Sequence, residues 1–160
     1  MAHDSFATRI LLVDDEPIVT EGLRIVLESV GFACQTATNG LEALLHLSKA
    51  EAHIVVSDLR MPLMSGYELV AALRSCHPEI GIVVISAESG ELDLPIDAYL
   101  QKGKYSPEQL IATIRAVEVK LRRKQPLSSR LHPVPEKVCE DRASRGIQAI
   151  AETRLDKLRA

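Results

Sequence analysis

Residues 53–66 read HIVVSDLRMPLMSG. The run His53–Ser57 is continuously apolar at its centre rather than alternating, as a strand covered on both faces must be. Asp58 interrupts it. The loop Leu59–Gly66 carries the Pro62 and Gly66 of a connection, and Ser65 is placed to cap a following helix. That helix has Leu69, Val70 and Leu73 as its apolar stripe and stops near His77-Pro78. A doubly covered strand followed by a loop and a helix is one unit of a parallel sheet with helices on both sides.

The same unit recurs on either side. Upstream, Arg9–Val13 (RILLV) is a strand that ends in Asp14-Asp15-Glu16-Pro17, and Pro17 suits the first turn of a helix. Ile18, Leu23, Val26, Leu27 and Val30 form its expected apolar stripe, and Gly31 stops it. Phe32–Ala37 is a second strand, and Asn39 caps a helix whose expected apolar face is Leu41, Leu44, Leu45 and Leu47. Downstream, Gly81–Ile85 (GIVVI) and Ala98–Gln101 (AYLQ) are strands four and five. Ser106-Pro107 opens a last helix striped with Leu110, Ile111, Ile114, Val117 and Leu121. Right-handed crossovers then close a doubly wound, five-stranded parallel α/β sheet.

Composition agrees with one such domain. The 160 residues are 46% hydrophobic and 26% charged, which argues against a mostly disordered chain. Three Tyr, two Phe and no Trp are too few for a base-stacking nucleic-acid surface. Cys34, Cys76 and Cys139 show no ligand spacing and read as reduced thiols. No apolar run approaches a membrane span and no signal peptide is evident, so a cytoplasmic location is expected. The net charge of -3 hides an asymmetry: residues 1–119 hold 8 Lys/Arg and 17 Asp/Glu (8 - 17 = -9), and residues 120–160 hold 11 and 5 (11 - 5 = +6). The expected division is a folded domain over 1–123, a Pro- and Ser-rich linker over 124–136, and an amphipathic helical tail over 137–160 with no separate effector domain. Val138, Ile147, Ile150, Ala151, Leu155 and Leu158 share one face of that tail. A single helix without a turn-helix partner argues against direct DNA binding. Its apolar stripe asks for a protein surface, on its own acidic domain or a second subunit.

In doubly wound sheets ligands bind outside the carboxyl ends of the strands. There the chain puts Asp14 and Asp15, Asp58, Ser86 and Ala87, and Lys102. Carboxylates about 4 Å apart repel by roughly 4 kcal/mol per pair at an effective dielectric near 20, so three together must take up a proton or a cation. Hard oxygen donors with room for water fit Mg²⁺, and no soft ligand is near to favour zinc or copper. A hydroxyl and an ammonium beside them would hold an anion, which is the equipment of phosphoryl transfer. A carboxylate can itself be the nucleophile. Each residue alone is a commonplace of turns and caps; their joint placement is what points to chemistry.

ILLVDDEP at 10–17, VVSDLRMPLMSG at 55–66, VVISA at 83–87 and AYLQKG at 98–103 together resemble a response-regulator receiver (CheY-like) domain over residues 9–122, about 70% of the chain. The resemblance implies a flavodoxin-like sheet of order 2-1-3-4-5. It implies Asp58 as phospho-acceptor, with Asp14, Asp15, Asp58 and the Arg60 carbonyl as Mg²⁺ ligands. Ser86 and Tyr99 become the switch pair, Lys102 the ion-pairing lysine, and Ala87 the small residue that leaves the site open. Met61, Pro62 and Gly66 need no chemistry and shape the loop. No cofactor besides Mg²⁺ is implied. The implied partners are a sensor histidine kinase or phosphotransfer protein and a downstream protein, with a homodimer through the last receiver helix or the tail as a further option. Kinase docking would use Ile18, Val19, Gly22 and the loop before Ser106. The only chemistry catalysed would be the domain's own aspartyl phosphorylation and dephosphorylation.

Two departures stand out. Gly103 follows Lys102 where the family usually has a proline after a cis bond; a non-proline cis bond costs ~2.5–4 kcal/mol, so a trans or altered loop is expected. Only fifteen residues separate Ser86 from Lys102, so the fourth helix is shortened or missing and the usual signalling face is remodelled. These favour an alternative, a constitutive pseudo-receiver acting through its tail and remodelled face. A Mg²⁺-dependent phosphatase would need a second carboxylate just after Asp58, where Leu59 and Arg60 supply none.

Overall fold

The computed structural model describes residues 7–89 and 92–124. Within them the order is β1 (Arg9–Val13), α1 (Pro17–Glu28), β2 (Ala33–Ala37), α2 (Gly40–Lys49), β3 (Ile54–Ser57), α3 (Gly66–Cys76), β4 (Gly81–Ser86), β5 (Ala98–Gln101) and α4 (Pro107–Lys124). The strands form one parallel sheet, β2-β1-β3-β4-β5. This is the CheY-like flavodoxin fold.

Strand periodicity sorts the core into two layers. Leu11, Val13, Val55, Ile82 and Val84 face one side, where α2 and α3 bring Leu44, Leu47, Leu69 and Leu73. Ile10, Leu12, Ile54, Val56 and Val83 face the other, against Leu27 of α1 and Leu110, Ile114 and Val117 of α4. Every residue of β3 and β4 is buried, which is why those runs are continuously apolar.

Local chemistry sets the helix ends. The Asn39 side chain accepts the Glu42 N–H at 2.9 Å. Ser65 and Glu68 form a reciprocal capping box. Pro17 opens α1, and the chain reverses after it with Gly31 at φ 96°. The Ser106 hydroxyl accepts the Gln109 N–H at 3.3 Å.

Two apolar positions depart from expectation. Ile18 is 82% exposed and Leu45 48% exposed, so neither belongs to the buried stripe of its helix. Apolar identity alone put them there; the faces that meet the sheet carry Leu23 and Leu27 in α1 and Ala43, Leu44 and Leu47 in α2. β2 begins at Ala33 rather than Phe32, β3 at Ile54 rather than His53, and β4 extends through Ser86.

The segment from β4 to β5 contains no helix among its described residues. Leu92, Leu94 and Ile96 instead pack directly on the α2–α3 layer. Asp97 secures the end of the segment. Its carboxylate takes hydrogen bonds from Arg74 Nη2 at 2.7 Å, the Ile82 N–H at 3.0 Å and Lys120 Nζ at 2.9 Å. Arg74 also donates to the carbonyls of Ile80 and Pro95. Burial would raise the Asp97 pKa, but these bonds from Lys120, Ile82 and Arg74 outweigh it and bring it down to about 2. The backbone has no cis peptide among the described residues, and Gly103 sits at φ 75°. The expected linker at 124–136, apart from Lys124 at the end of α4, and the expected tail at 137–160 with Cys139 lie outside the described residues.

Candidate functional site

Register builds the site. Val13 is paired with Ser57, so the next residues, Asp14 and Asp58, leave the sheet side by side. Ser86 is paired with Gln101, so Lys102 emerges beside the end of β4. The backbone continues the ladder for one more step: the Asp58 N–H donates to the Val13 carbonyl at 2.9 Å, and the Lys102 N–H to the Ser86 carbonyl at 2.8 Å.

Asp14, Asp15 and Asp58 each offer a carboxylate oxygen, and these oxygens lie within 4.8 Å of one another. Asp14 and Asp58 are buried and Asp15 is exposed. Lys102 Nζ bridges Asp14 Oδ2 and Asp58 Oδ2, at 2.8 Å from each, with Glu16 Oε1 at 4.0 Å. Desolvation disfavours the Lys102 charge, but hydrogen bonds to Asp14 and Asp58 and their charges raise its pKa above the usual lysine range. The other Asp58 oxygen accepts the Leu59 N–H at 2.6 Å and the Arg60 N–H at 3.5 Å. Three clustered carboxylates against one ammonium are a hard-oxygen donor set in net negative charge, which fits a Mg²⁺ ion.

The loop after Asp58 leaves no room for side chains on its inner side. A Cβ on Gly66 would stand 2.0 Å from the Asp58 carbonyl oxygen and 2.7 Å from Leu59 Cα, so only glycine fits. Met64 is buried and its carbonyl accepts the Gly40 N–H at 3.2 Å, which ties the loop to the start of α2. Leu63, between Pro62 and Met64, is the non-glycine residue at positive φ (65°) among the described residues.

Ser86 is buried, and its hydroxyl accepts the Glu88 N–H at 3.4 Å. Tyr99 is half-buried, and its hydroxyl donates to the Ser86 carbonyl at 3.2 Å and to the Glu88 carbonyl. Ala87 is exposed beside them. Arg60 is 80% exposed; its guanidinium pairs with Glu88 at 2.9 Å, and the other Glu88 oxygen accepts the Tyr67 hydroxyl. Glu88, held below the usual carboxylate range by the Tyr67 and Arg60 hydrogen bonds, was not among the residues singled out from sequence. A half-buried polar residue in a loop carries no periodic signal. An open depression lined by Asp15, Arg60, Met61, Ser65, Tyr67 and Glu88 leads to the acidic cluster.

A parallel sheet of order 2-1-3-4-5 with three aspartates and a lysine at its carboxyl edge defines a CheY-like signalling domain. The chain belongs to the response regulator receiver domain family, whose model matches residues 10–115. It is 35% identical over 116 residues to the sensory transduction protein RegX3 of Mycobacterium tuberculosis, covering 69% of this chain and 50% of that one. It is 33% identical over 165 residues to the response regulator MprA of Mycobacterium sp. strain KMS, covering 92% and 68%. The chain thus spans about half the length of the RegX3 relatives it matches. Among solved structures it resembles the response regulator TrrA of Thermotoga maritima in complex with Mg²⁺-BeF, with 32% identity, a TM-score of 0.64, and coverage of 69% of this chain and 98% of that one. Receiver domains bind Mg²⁺ at an aspartate cluster, interact with histidine kinases and downstream effectors, and are not metabolic enzymes. Among the described residues no helix is long and apolar enough to cross a membrane.

Proposed function

We propose that the chain is a phosphorylatable receiver that takes a phosphoryl group onto Asp58 from a sensor histidine kinase or phosphotransfer protein. The observation that carries this reading is the convergence of Asp14, Asp15 and Lys102 on Asp58, beside an open depression that Asp15 lines. A carboxylate oxygen of Asp58 forms the bond to phosphorus while the bond from phosphorus to the donor's leaving atom breaks. The product is an aspartyl phosphate. Lys102 offsets the negative charge gathered at the acceptor, and the N–H groups of Leu59 and Arg60 hold the carboxylate in place. Asp14, Asp15, Asp58 and the Arg60 carbonyl would hold Mg²⁺, which when bound neutralises charge on the phosphoryl oxygens. Ser86, whose oxygen already accepts a bond, has its own proton to donate to the phosphoryl group. Tyr99 responds through the shared Ser86–Glu88 turn, which shifts the population of two conformations. Ile18, fully on the surface of α1, and the loop before Ser106 are the docking points for the donor.

Incubation with acetyl phosphate and Mg²⁺ should place one phosphoryl group on the wild type, seen by intact mass, and none on Asp58→Asn. Labelling that survives the substitution overturns the reading.

The absence of a helix between β4 and β5 among the described residues favours a second reading, a constitutive interaction module. Equal partner affinity for phosphorylated wild type and Asp58→Asn would select it. In either case we infer a cytoplasmic protein whose residues 137–160 engage a protein surface rather than DNA. Removing residues 125–160 is expected to change oligomeric state or solubility by light scattering, and an unaltered monomer counts against it.

A further inference from the structure

Tyr99 and Arg60 meet at a single residue, Glu88. The Glu88 carbonyl accepts the Tyr99 hydroxyl, while its carboxylate pairs with the Arg60 guanidinium at 2.9 Å and accepts the Tyr67 hydroxyl. Tyr67 lies in the first turn of α3, and Arg60 follows the acceptor by two residues. One loop residue therefore touches β5, the loop after Asp58, and a helix. On the side where the family carries a fourth helix, the described residues offer none for Tyr99 to move. The polar contacts that lead away from Tyr99 run instead through Glu88 toward α3.

We propose that Glu88 is a relay: it carries the phosphorylation state of Asp58 from Tyr99 and Arg60 to Tyr67, and makes the start of α3 part of the signalling surface. The proposal rests on Asp58 being the phospho-acceptor. A phosphoryl group brings roughly -1.5 to -2 charges near neutral pH, which competes with the Glu88 carboxylate for Arg60. A movement of Ser86 and Tyr99 changes the turn that carries the Glu88 carbonyl. Both effects act on the same residue, and the group released is the Tyr67 hydroxyl. Tyr67 (38% exposed) and Leu63 (62% exposed) are already at the surface, so a change in their setting alters what a partner meets. Glu88 acts here as a positioning residue; it neither accepts nor donates the phosphoryl group.

The chain's three tyrosines, Tyr67, Tyr99 and Tyr105, allow a direct test. The full chain is labelled with 3-fluorotyrosine, and each ¹⁹F line is assigned by a Tyr→Phe substitution. Beryllofluoride with Mg²⁺ is expected to shift the Tyr67 and Tyr99 lines of the wild type. Glu88→Ala keeps the carbonyl that Tyr99 uses and removes the carboxylate that Tyr67 uses. In that variant the Tyr99 line should still shift and the Tyr67 line should not. Glu88→Gln retains an acceptor without the charge, so a reduced Tyr67 shift is expected; the Tyr105 line reports that each variant is folded. A Tyr67 line that shifts fully in Glu88→Ala, or stays still in a wild type that carries the adduct, overturns the relay alone. Absence of any adduct on the wild type after acetyl phosphate overturns the acceptor reading and the relay with it.

Discussion

The ammonium of Lys102 stands 2.8 Å from Asp58 Oδ2, and the same nitrogen is equally close to Asp14. Lys102 is thus the counter-charge of the cluster before any cation arrives. Lys102→Ala leaves the carboxylates unneutralised, and about 1–3 kcal/mol of stability should be lost in metal-free buffer. The same change removes a positive charge that repels an incoming cation. Thermal unfolding across a Mg²⁺ titration should show half-maximal stabilisation at a lower concentration than in the wild type. Weaker stabilisation by Mg²⁺ in the variant would show that Lys102 does not play this part.

Gly66→Ala would force the Asp58–Leu59 backbone aside, because the new methyl has no vacant position 2.0 Å from a carbonyl oxygen. A cost of about 3 kcal/mol is expected, at the upper end for overpacking. The acceptor carboxylate moves with that backbone, so acetyl phosphate labelling should slow as well. A variant with the wild-type urea midpoint and labelling rate would contradict the close approach.

Asp97 gives the protein an acid-sensitive clasp. Its pKa is about 2 in the fold against an ordinary 3.8. A lowered folded value means that the contribution is complete above pH 3.8 and disappears as pH falls through about 2. The shift corresponds to at most ~2.5 kcal/mol, less whatever solvent screening removes. Asp97→Asn should therefore be less stable than the wild type at pH 7, and the gap should narrow toward pH 2. Urea unfolding at pH 7, 4 and 2.5 measures it; a gap that holds constant across these points would rule out the charge of Asp97 as the cause.

Ile18→Asp should separate the two ways of loading Asp58. Ile18 is 82% exposed and contributes nothing to the core, so folding and labelling by acetyl phosphate should be unchanged. Transfer from a cognate phosphorylated kinase should fall by about tenfold or more, the effect of losing ~1.4 kcal/mol at a docking contact. Equal loss with both donors would place the defect in the fold instead.

The sheet and the acidic site were legible because both depend on signals local in sequence. Continuous apolar runs at Ile54–Val56 and Ile82–Ile85 mark doubly covered strands, and polar residues directly after strands mark the site. Caps at Asn39 and Ser65 were equally local. Partnerships across the fold were not legible. Arg74 and Asp97 are 23 residues apart, and Arg60 and Glu88 are 28 apart. Nothing in their spacing announces a meeting that only the assembled sheet and helices bring about. Ile18 and Leu45 misled for the opposite reason: apolar identity at a plausible helical step does not say how wide the covered stripe is.

The clasp at Asp97 also separates the length of the β4–β5 link from the position of β5 and Lys102. Asp97 is bonded to Ile82 through both its backbone N–H and its side chain, at 2.8 and 3.0 Å, immediately before β5 begins. Lys102 is therefore indexed by pairing along β4, from Ile82 to Ser86, rather than by the length of the link. A change in the length of the link would therefore leave the lysine where it stands. An extra residue inside β1 or β3 would instead turn Asp14 or Asp58 to the opposite face of the sheet. A change of length is thus tolerable at the link and ruinous to the site one strand away.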